Sequence, residues 1–340
     1  MKAFFDDRQW KHDPKNFMAA GVKRASPEQP ERIARLLAGA EAAGCSFEAP
    51  HDAGLGPIAA VHSSQYLTFL QTIHARWSEI EGAAPEVIPN VHPRRRDDSY
   101  PSSPVGQAGY HQGDTACPIA EHTWEAAYWS AQSAIAGADH LAATGKPAYV
   151  LSRPPGHHAY GDMAAGFCFL NNSAIAAQRL LAQGARPAVL DIDVHHGNGT
   201  QDIFYHRADV LTVSIHADPT GFYPFFFGHA HEHGAGAGLG ANLNLPLPQG
   251  QGDAEFLAAL EVALDRIESF GCDALVVATG LDAHEGDPFR ALRVTTDGFA
   301  RIGAAIAARG LSTLYVQEGG YLSDDLGPNL TSFLSGVQGG

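Results

Sequence analysis

The chain has 340 residues, 45% of them hydrophobic and 17% charged, in the range of a soluble globular protein. Its 22 basic and 37 acidic residues leave a formal charge of −15, which argues against nucleic acid as a partner and suits a cationic small molecule. No stretch approaches the roughly 18 continuous apolar residues of a membrane span. Acids interrupt the opening Met1-Lys2-Ala3-Phe4-Phe5-Asp6-Asp7 too early for a secretory signal, and the four cysteines (Cys45, Cys117, Cys168, Cys272) contain no close pair. The expectation is a cytoplasmic protein without membrane partner, disulfides or a Cys-based zinc knot.

In chain order, a helix is expected over 30–44. Residues 81–115 carry several prolines, the run Arg94-Arg95-Arg96 and no clean period, and read as a long loop; one that long is usually functional or an interface element. Trp124, Tyr128, Ala131, Ile135 and Ala138 then step by three and four and predict a helix. A strand-like run at 148–151 precedes a candidate helix at 171–183, and two more runs follow at 188–193 and 210–216. Residues 222–240 are aromatic, then His-rich, then Gly-rich. Phe256, Leu260, Leu264 and Ile267 mark another helix, 274–279 a strand, 296–309 a helix and 314–317 a strand. This alternation predicts an α/β fold, a mostly parallel central sheet with helices on both faces. With no linker or repeat dividing it, the whole of 1–340 is expected to be one domain.

The strand-like runs stop in residues that could do chemistry. The first leads to Arg153-Pro154-Pro155-Gly156-His157-His158, and the second ends in Asp191-Ile192-Asp193-Val194-His195-His196. If that second strand continues, Asp191, Asp193 and His195 share one face. The run at 274–279 enters Gly280-Leu281-Asp282-Ala283-His284, and the last enters Glu318-Gly319-Gly320-Tyr321. Open parallel sheets place their sites at these carboxyl ends. Asp193, His195 and Asp282 would supply three ligands and leave a position open, the catalytic kind of zinc site. Such an ion acidifies water and polarises a carbonyl. His157 and His158 suit proton transfer, and Tyr321 can donate to a developing oxyanion. The set describes hydrolysis of an amide or ester. Blander readings make Asp282 a helix cap and Tyr321 core, and they suit His216, His284, the surface run His229-Ala230-His231-Glu232-His233 and a buried Cys168 better than a site does. No Gly-x-Ser-x-Gly, phosphate loop or dinucleotide fingerprint is present.

These motifs, with Gly166-Phe167-Cys168, His196-Gly197-Asn198-Gly199-Thr200 and Asp282-Ala283-His284-Glu285-Gly286-Asp287-Pro288, resemble the zinc-dependent histone deacetylase superfamily over most of the chain. The segment Glu86 through His92-Pro93-Arg94-Arg95 and the run Thr123-Trp124-Glu125-Ala126-Ala127 make it most similar to bacterial acetylpolyamine amidohydrolases. The resemblance implies an arginase-like fold with one Zn²⁺ on Asp193, His195 and Asp282; Asp and His ligands suit several divalent ions, Fe²⁺ among them. It implies His158 as general base and acid, His157 as its electrostatic partner held by Asp191, Asn198 as the group orienting His158, and Tyr321 as the carbonyl polariser. Gly166 and Phe167 would line a narrow channel, with Phe225 or Phe226 as a second aromatic. A structural K⁺ is implied near the carbonyls of Asp191, Asp193 and His195, helped by Ser214. Residues 81–115 would narrow the pocket and join two subunits in a homodimer.

The resemblance also implies acidic residues that grip a polyamine ammonium, but Phe17 and Ala116 stand about where they are expected; Asp114 is the available substitute. Acetylated diamines such as acetylputrescine or acetylcadaverine are therefore expected beside longer acetylpolyamines. Other readings are an acetyl-lysine protein deacetylase, a binuclear manganese ureohydrolase and a non-catalytic acyl-amine-binding protein.

Overall fold

A computed structural model describes residues 1–96 and 99–339; Asp97 and Asp98, within the predicted loop, and Gly340 lie outside the described residues. The strands are β1 (Lys2–Phe4), β2 (Asn16–Ala19), β3 (Val22–Ala25), β4 (Ser46–Glu48), β5 (Ala148–Val150), β6 (Pro187–Asp191), β7 (Leu211–Ala217), β8 (Asn242–Leu247), β9 (Ala274–Thr279) and β10 (Ser312–Gln317). Interleaved are the helices α1 (Glu31–Ala42), α2 (Gly56–Ala59), α3 (Ser64–Ser78), α4 (Pro104–His111) and α5 (Thr123–Thr144). After them come α6 (Asn172–Ala182), α7 (Asn198–Phe204), α8 (Asp253–Phe270), α9 (Thr296–Ala307) and α10 (Leu326–Gly339).

Eight strands form one sheet in the order β4-β1-β5-β10-β9-β6-β7-β8, every pairing parallel, while β2 and β3 make a separate antiparallel hairpin. Side chains alternate across each buried strand, and that alternation divides the core. Leu190, Val277 and Tyr315 face a layer built by α1, α8, α9 and α10, with Phe256, Leu260, Phe299, Ile302 and Phe333. Their chain neighbours Val189, Val276 and Val316 face α5 and α6, through Ala134, Leu141, Ala177 and Leu180. A third cluster joins α3 (Tyr66, Phe69, Leu70, Ile73) to the outer side of α5 and to Val87 and Ile119. Among the described residues no helix is long and apolar enough to cross a membrane.

The stretch expected to be a loop at 81–115 contains α4. Pro104 opens the helix after Ser103, and the His111 ring packs against Phe69 of α3 at 4.7 Å. The pattern is hard to see because two of its eight residues are glycine and few are apolar. Within the same stretch Arg96 is held in place: its guanidinium donates to Asp162 Oδ1 (2.8 Å) and to the Asp162 carbonyl (3.1 Å) and lies 4.5 Å from the centre of the Tyr110 ring.

The strands that matter for the site, β5, β10, β9 and β6, are four consecutive members of the sheet. Their carboxyl ends therefore open onto one crevice.

Candidate active site

At the end of β6 the strand exchanges its ladder for its own side chains. Ile192 N–H still reaches the Ala278 carbonyl at 3.0 Å. Beyond it, Asp193 N–H donates to Asp191 Oδ1 (3.0 Å), Val194 N–H to Asp282 Oδ1 (3.0 Å) and His195 N–H to Asp193 Oδ1 (2.9 Å). Carboxylates that satisfy nearby backbone donors compete with sheet pairing. The strand expected over 188–193 accordingly stops at Asp191, and Asp193 and His195 belong to the loop beyond it rather than to one strand face.

That loop meets the segment after β9. His195 Nδ1 lies 3.1 Å from Asp193 Oδ1 and 3.1 Å from Asp282 Oδ2, and one ligand atom from each residue falls within 4.8 Å of the others. Two glycines allow the approach. A Cβ on Gly319 would stand 2.2 Å from Asp282 Oδ2, and one on Gly280 would stand 2.3 Å from Asp193 Oδ2. Gly319 N–H donates to Asp193 Oδ2 at 2.8 Å. Burial, and then the Asp193 charge beside it, push the Asp282 carboxyl above its ordinary range, a conflict that a shared cation removes. Ligands at about 2.0–2.2 Å from a tetrahedral ion stand roughly 3.3 Å apart, close to the spacing of these donors. The residues present fit a divalent metal.

His157 and His158 arrive on a turn held by Glu318. One Glu318 oxygen accepts from Gly156 N–H (2.6 Å) and His157 N–H (3.0 Å), and the other accepts from the Ser173 hydroxyl (2.8 Å). Cys168 clusters with His157 and Glu318, but these protein donors already occupy the Glu318 carboxylate. The two imidazoles have centroids 4.0 Å apart. His157 Nδ1 is 2.9 Å from Asp191 Oδ2. Burial alone would lower its pKa, but the Asp191 and Asp193 charges outweigh burial and lift it to about 10. His158 Nδ1 is 2.6 Å from Asn198 Oδ1. With no carboxylate partner, burial and the positive charge of His157 hold its pKa well below the usual imidazole value. One imidazole keeps its proton and its neighbour is neutral.

A cavity of about 600 Å³ lies over His158, His195 and Tyr321. Phe167 enters it with φ +68, a left-handed conformation that a bulky residue rarely adopts. Gly166 before it is at φ +50, where a Cβ would come 2.4 Å from His158 Cδ2. Tyr321 N–H donates to Asp287 Oδ2 at 3.0 Å. The turn carrying Tyr321 is braced by buried Arg32, which donates to the Gly320 carbonyl at 2.6 Å and the Glu318 carbonyl at 2.7 Å. Phe225 and Phe226 line the cavity at its mouth, 50% and 80% exposed. Deeper aromatic contacts come from Tyr223, edge-on to His158 at 4.9 Å, and from Phe222, stacked on His195 at 4.9 Å. Phe17 and Ala116 also line the cavity. Asp114 does too, with its carboxylate accepting from Ala116 N–H (2.8 Å), Gly166 N–H (3.1 Å) and the Tyr223 hydroxyl (2.7 Å). Ser214 is paired with Asp191 in the β6–β7 register, and its Oγ lies 2.8 Å from His216 Nδ1.

Sequence reasoning missed Tyr223, Glu318, Asp287 and Arg32 as parts of this site. Three lie inside or beside stretches that it quoted, the aromatic start of 222–240, Glu318-Gly319-Gly320-Tyr321 and Gly286-Asp287-Pro288. Arg32, on α1, carried no local signal; only the fold brings it under the Tyr321 turn.

The histone deacetylase domain family matches residues 26–337 of the chain. An acetylpolyamine amidohydrolase of Burkholderia pseudomallei (strain 1710b) is 48% identical over 99% of this chain and 98% of its own length. The acetylpolyamine amidohydrolase of Mycoplana ramosa is 42% identical over the full length of both chains. A crystal structure of acetylpolyamine aminohydrolase from Burkholderia pseudomallei superposes with a TM-score of 0.95 at 48% identity, covering 99% of this chain and 98% of that one. With that agreement in sequence and backbone, this protein belongs to the histone deacetylase family.

Proposed function

We propose that the protein is a metal-dependent amidohydrolase that removes the acetyl group from acetylated polyamines and short diamines, releasing acetate and the free amine. The observation that carries the reading is the convergence of Asp193, His195 and Asp282 in one cluster, with His195 lining the same cavity as His158 and the Tyr321 phenol. Relatives named acetylpolyamine amidohydrolases, at 48% and 42% identity along the whole chain, support the substrate class.

Asp193, His195 and Asp282 would hold one Zn²⁺, or Fe²⁺, which when bound acts as a Lewis acid on the acetyl carbonyl and acidifies water. Asn198 Oδ1 accepts a hydrogen bond from the Nδ1–H of His158, so Nε2 keeps its lone pair and accepts a proton from the attacking water. The Asp191–His157 pair stays charged and stabilises negative charge growing on the carbonyl oxygen, while the Tyr321 hydroxyl donates to that oxygen. Water adds at the carbonyl carbon, the C–N bond breaks, and His158 returns its proton to the leaving amine. Phe167 and Tyr223 line the way in. K⁺ beside the Asp191, Asp193 and His195 carbonyls and Ser214 belongs to the same reading, as do a homodimer formed through 81–115 and one deacetylase unit spanning 1–340.

The mouth is flanked by the β2–β3 hairpin on one side and Gly113–Ala116 on another, which favours a small amine over a protein tail. The test is direct. Zinc-loaded enzyme is expected to release acetate from N-acetylputrescine, N-acetylcadaverine and N-acetylspermidine. Failure on all three with turnover of acetyl-lysine peptides would reject the small-amine reading.

A further inference from the structure

The outer part of the cavity is chemically one-sided. Phe17, on the β2–β3 hairpin, packs against Phe167 with ring centroids 5.7 Å apart. Phe225 packs against Tyr223 at 6.2 Å and against Phe226 at 6.4 Å. These rings make a nearly continuous aromatic wall from the mouth down to His158. Among the described residues the only carboxylate lining the cavity is Asp114. Three protein donors, Ala116 N–H, Gly166 N–H and the Tyr223 hydroxyl, already use it. A carboxylate offers about four acceptor positions, so little of this one is left for a ligand. Its role is to tie the Phe167 turn and the Tyr223 ring to one anchor.

The physical consequence concerns the part of the substrate beyond the reacting nitrogen. An ammonium placed against this wall loses water and meets no free anion, which is costly; a single cation recovers only part of that through the ring faces. An aryl or alkyl group placed there buries apolar surface against the rings, which is favourable in proportion to the area removed from water. Aromatic groups also meet rings in the offset and edge-to-face arrangements they favour.

We propose that this outer wall selects an apolar amine body, so that N-acetylated arylalkylamines are substrates and are preferred to acetylpolyamines carrying distal ammonium groups. The inference rests on the deacetylase reading above and narrows its substrate class. Phe17 is the specificity-determining residue, because it sits at the entrance, is only half-buried and faces Phe167.

The test compares kcat/KM of the zinc-loaded enzyme for N-acetylphenethylamine, N-acetylcadaverine and N-acetylspermidine. The expected order falls from the first to the last, with about tenfold or more between the ends, the discrimination a few misplaced groups produce in a pocket. Phe17→Glu supplies a free anion at the entrance and is expected to shrink or reverse that ratio, whereas Phe17→Leu keeps the order. Wild-type enzyme that favours N-acetylspermidine overturns the inference and leaves the deacetylase reading standing. An active Phe17→Glu enzyme with an unchanged ratio removes Phe17 as the determinant and overturns that assignment. Wild-type enzyme that hydrolyses none of the acetamides removes the deacetylase reading, and the inference with it. Should Phe17→Glu not fold, the wild-type order decides by itself.

Discussion

His157 and His158 are the same side chain made unlike by their neighbours. A carboxylate on His157 Nδ1 keeps that ring charged, while an amide oxygen on His158 Nδ1 leaves that ring neutral. The difference can be tested by moving the charge. In Asp191→Asn, His157 loses what held its proton and its pKa falls. His158 is then relieved of a neighbouring cation and its pKa rises. Since turnover needs neutral His158, activity is present above its pKa and lost as pH falls through it. The wild-type kcat/KM is expected to stay level well below the ordinary histidine range, and the acid limb of the Asp191→Asn profile to move upward. A profile that does not move would separate His157 from the chemistry. Tyr321→Phe removes an oxyanion donor and is expected to lower kcat by about 10²–10³. Metal content, read by atomic absorption, should stay near that of the wild type, because the phenol is not among the proposed ligands.

The elements show where sequence patterns are sufficient and where they are not. Helices with long periodic stripes, α5 and α8, lie where the pattern places them. Strands of three residues, β1 and β4, are too short to display a period and depend on their neighbours in the sheet. β8 carries the period-2 alternation of a half-buried strand in Asn242-Leu243-Asn244-Leu245, but Pro246, which an edge strand tolerates and a central strand does not, masks it. β6 ends early because Asp191 and Asp193 take backbone donors that the ladder would otherwise use. This strand carries both the core and the site, so Leu190→Ala is expected to destabilise by about 2–5 kcal/mol, as cavities left by buried leucines do. Urea unfolding followed by circular dichroism would measure it. A loss below about 0.5 kcal/mol would mean that the layer under α8 and α9 repacks freely.

For the whole molecule, the parallel order β5-β10-β9-β6 makes one crevice out of widely separated segments of the chain. It also concentrates negative charge, since Asp193 and Asp282 are fully buried around a single imidazole. A divalent ion bound to the folded chain and not to the unfolded one contributes stability by mass action, about 4 kcal/mol at a thousand times Kd. For a chain of this length that corresponds to a melting temperature roughly 6 °C higher. Chelation is expected to abolish activity and lower the melting temperature by about that amount, and added Zn²⁺ to restore both. Scanning calorimetry before and after chelation gives the answer, and a melting temperature indifferent to the metal would count against Asp193, His195 and Asp282 as its ligands.

Composition, period and motif are enough to place the α/β architecture and the segments that meet at the site, because burial and turn chemistry act locally on residues such as Leu190, Val277 and Gly319. The pairing of Asp191 with His157 and of Asn198 with His158 is legible in the sequence only through the family resemblance, since no local pattern links a side chain to a partner on another loop. Tertiary structure alone decided that Arg32 braces the Tyr321 turn from 288 residues away, that Tyr223 rather than a more exposed neighbour packs on His158, and that Asp114 spends its carboxylate on the walls. Contacts of that kind are set by how strands are ordered and loops are packed, and a linear pattern carries no distance between residues far apart in the chain.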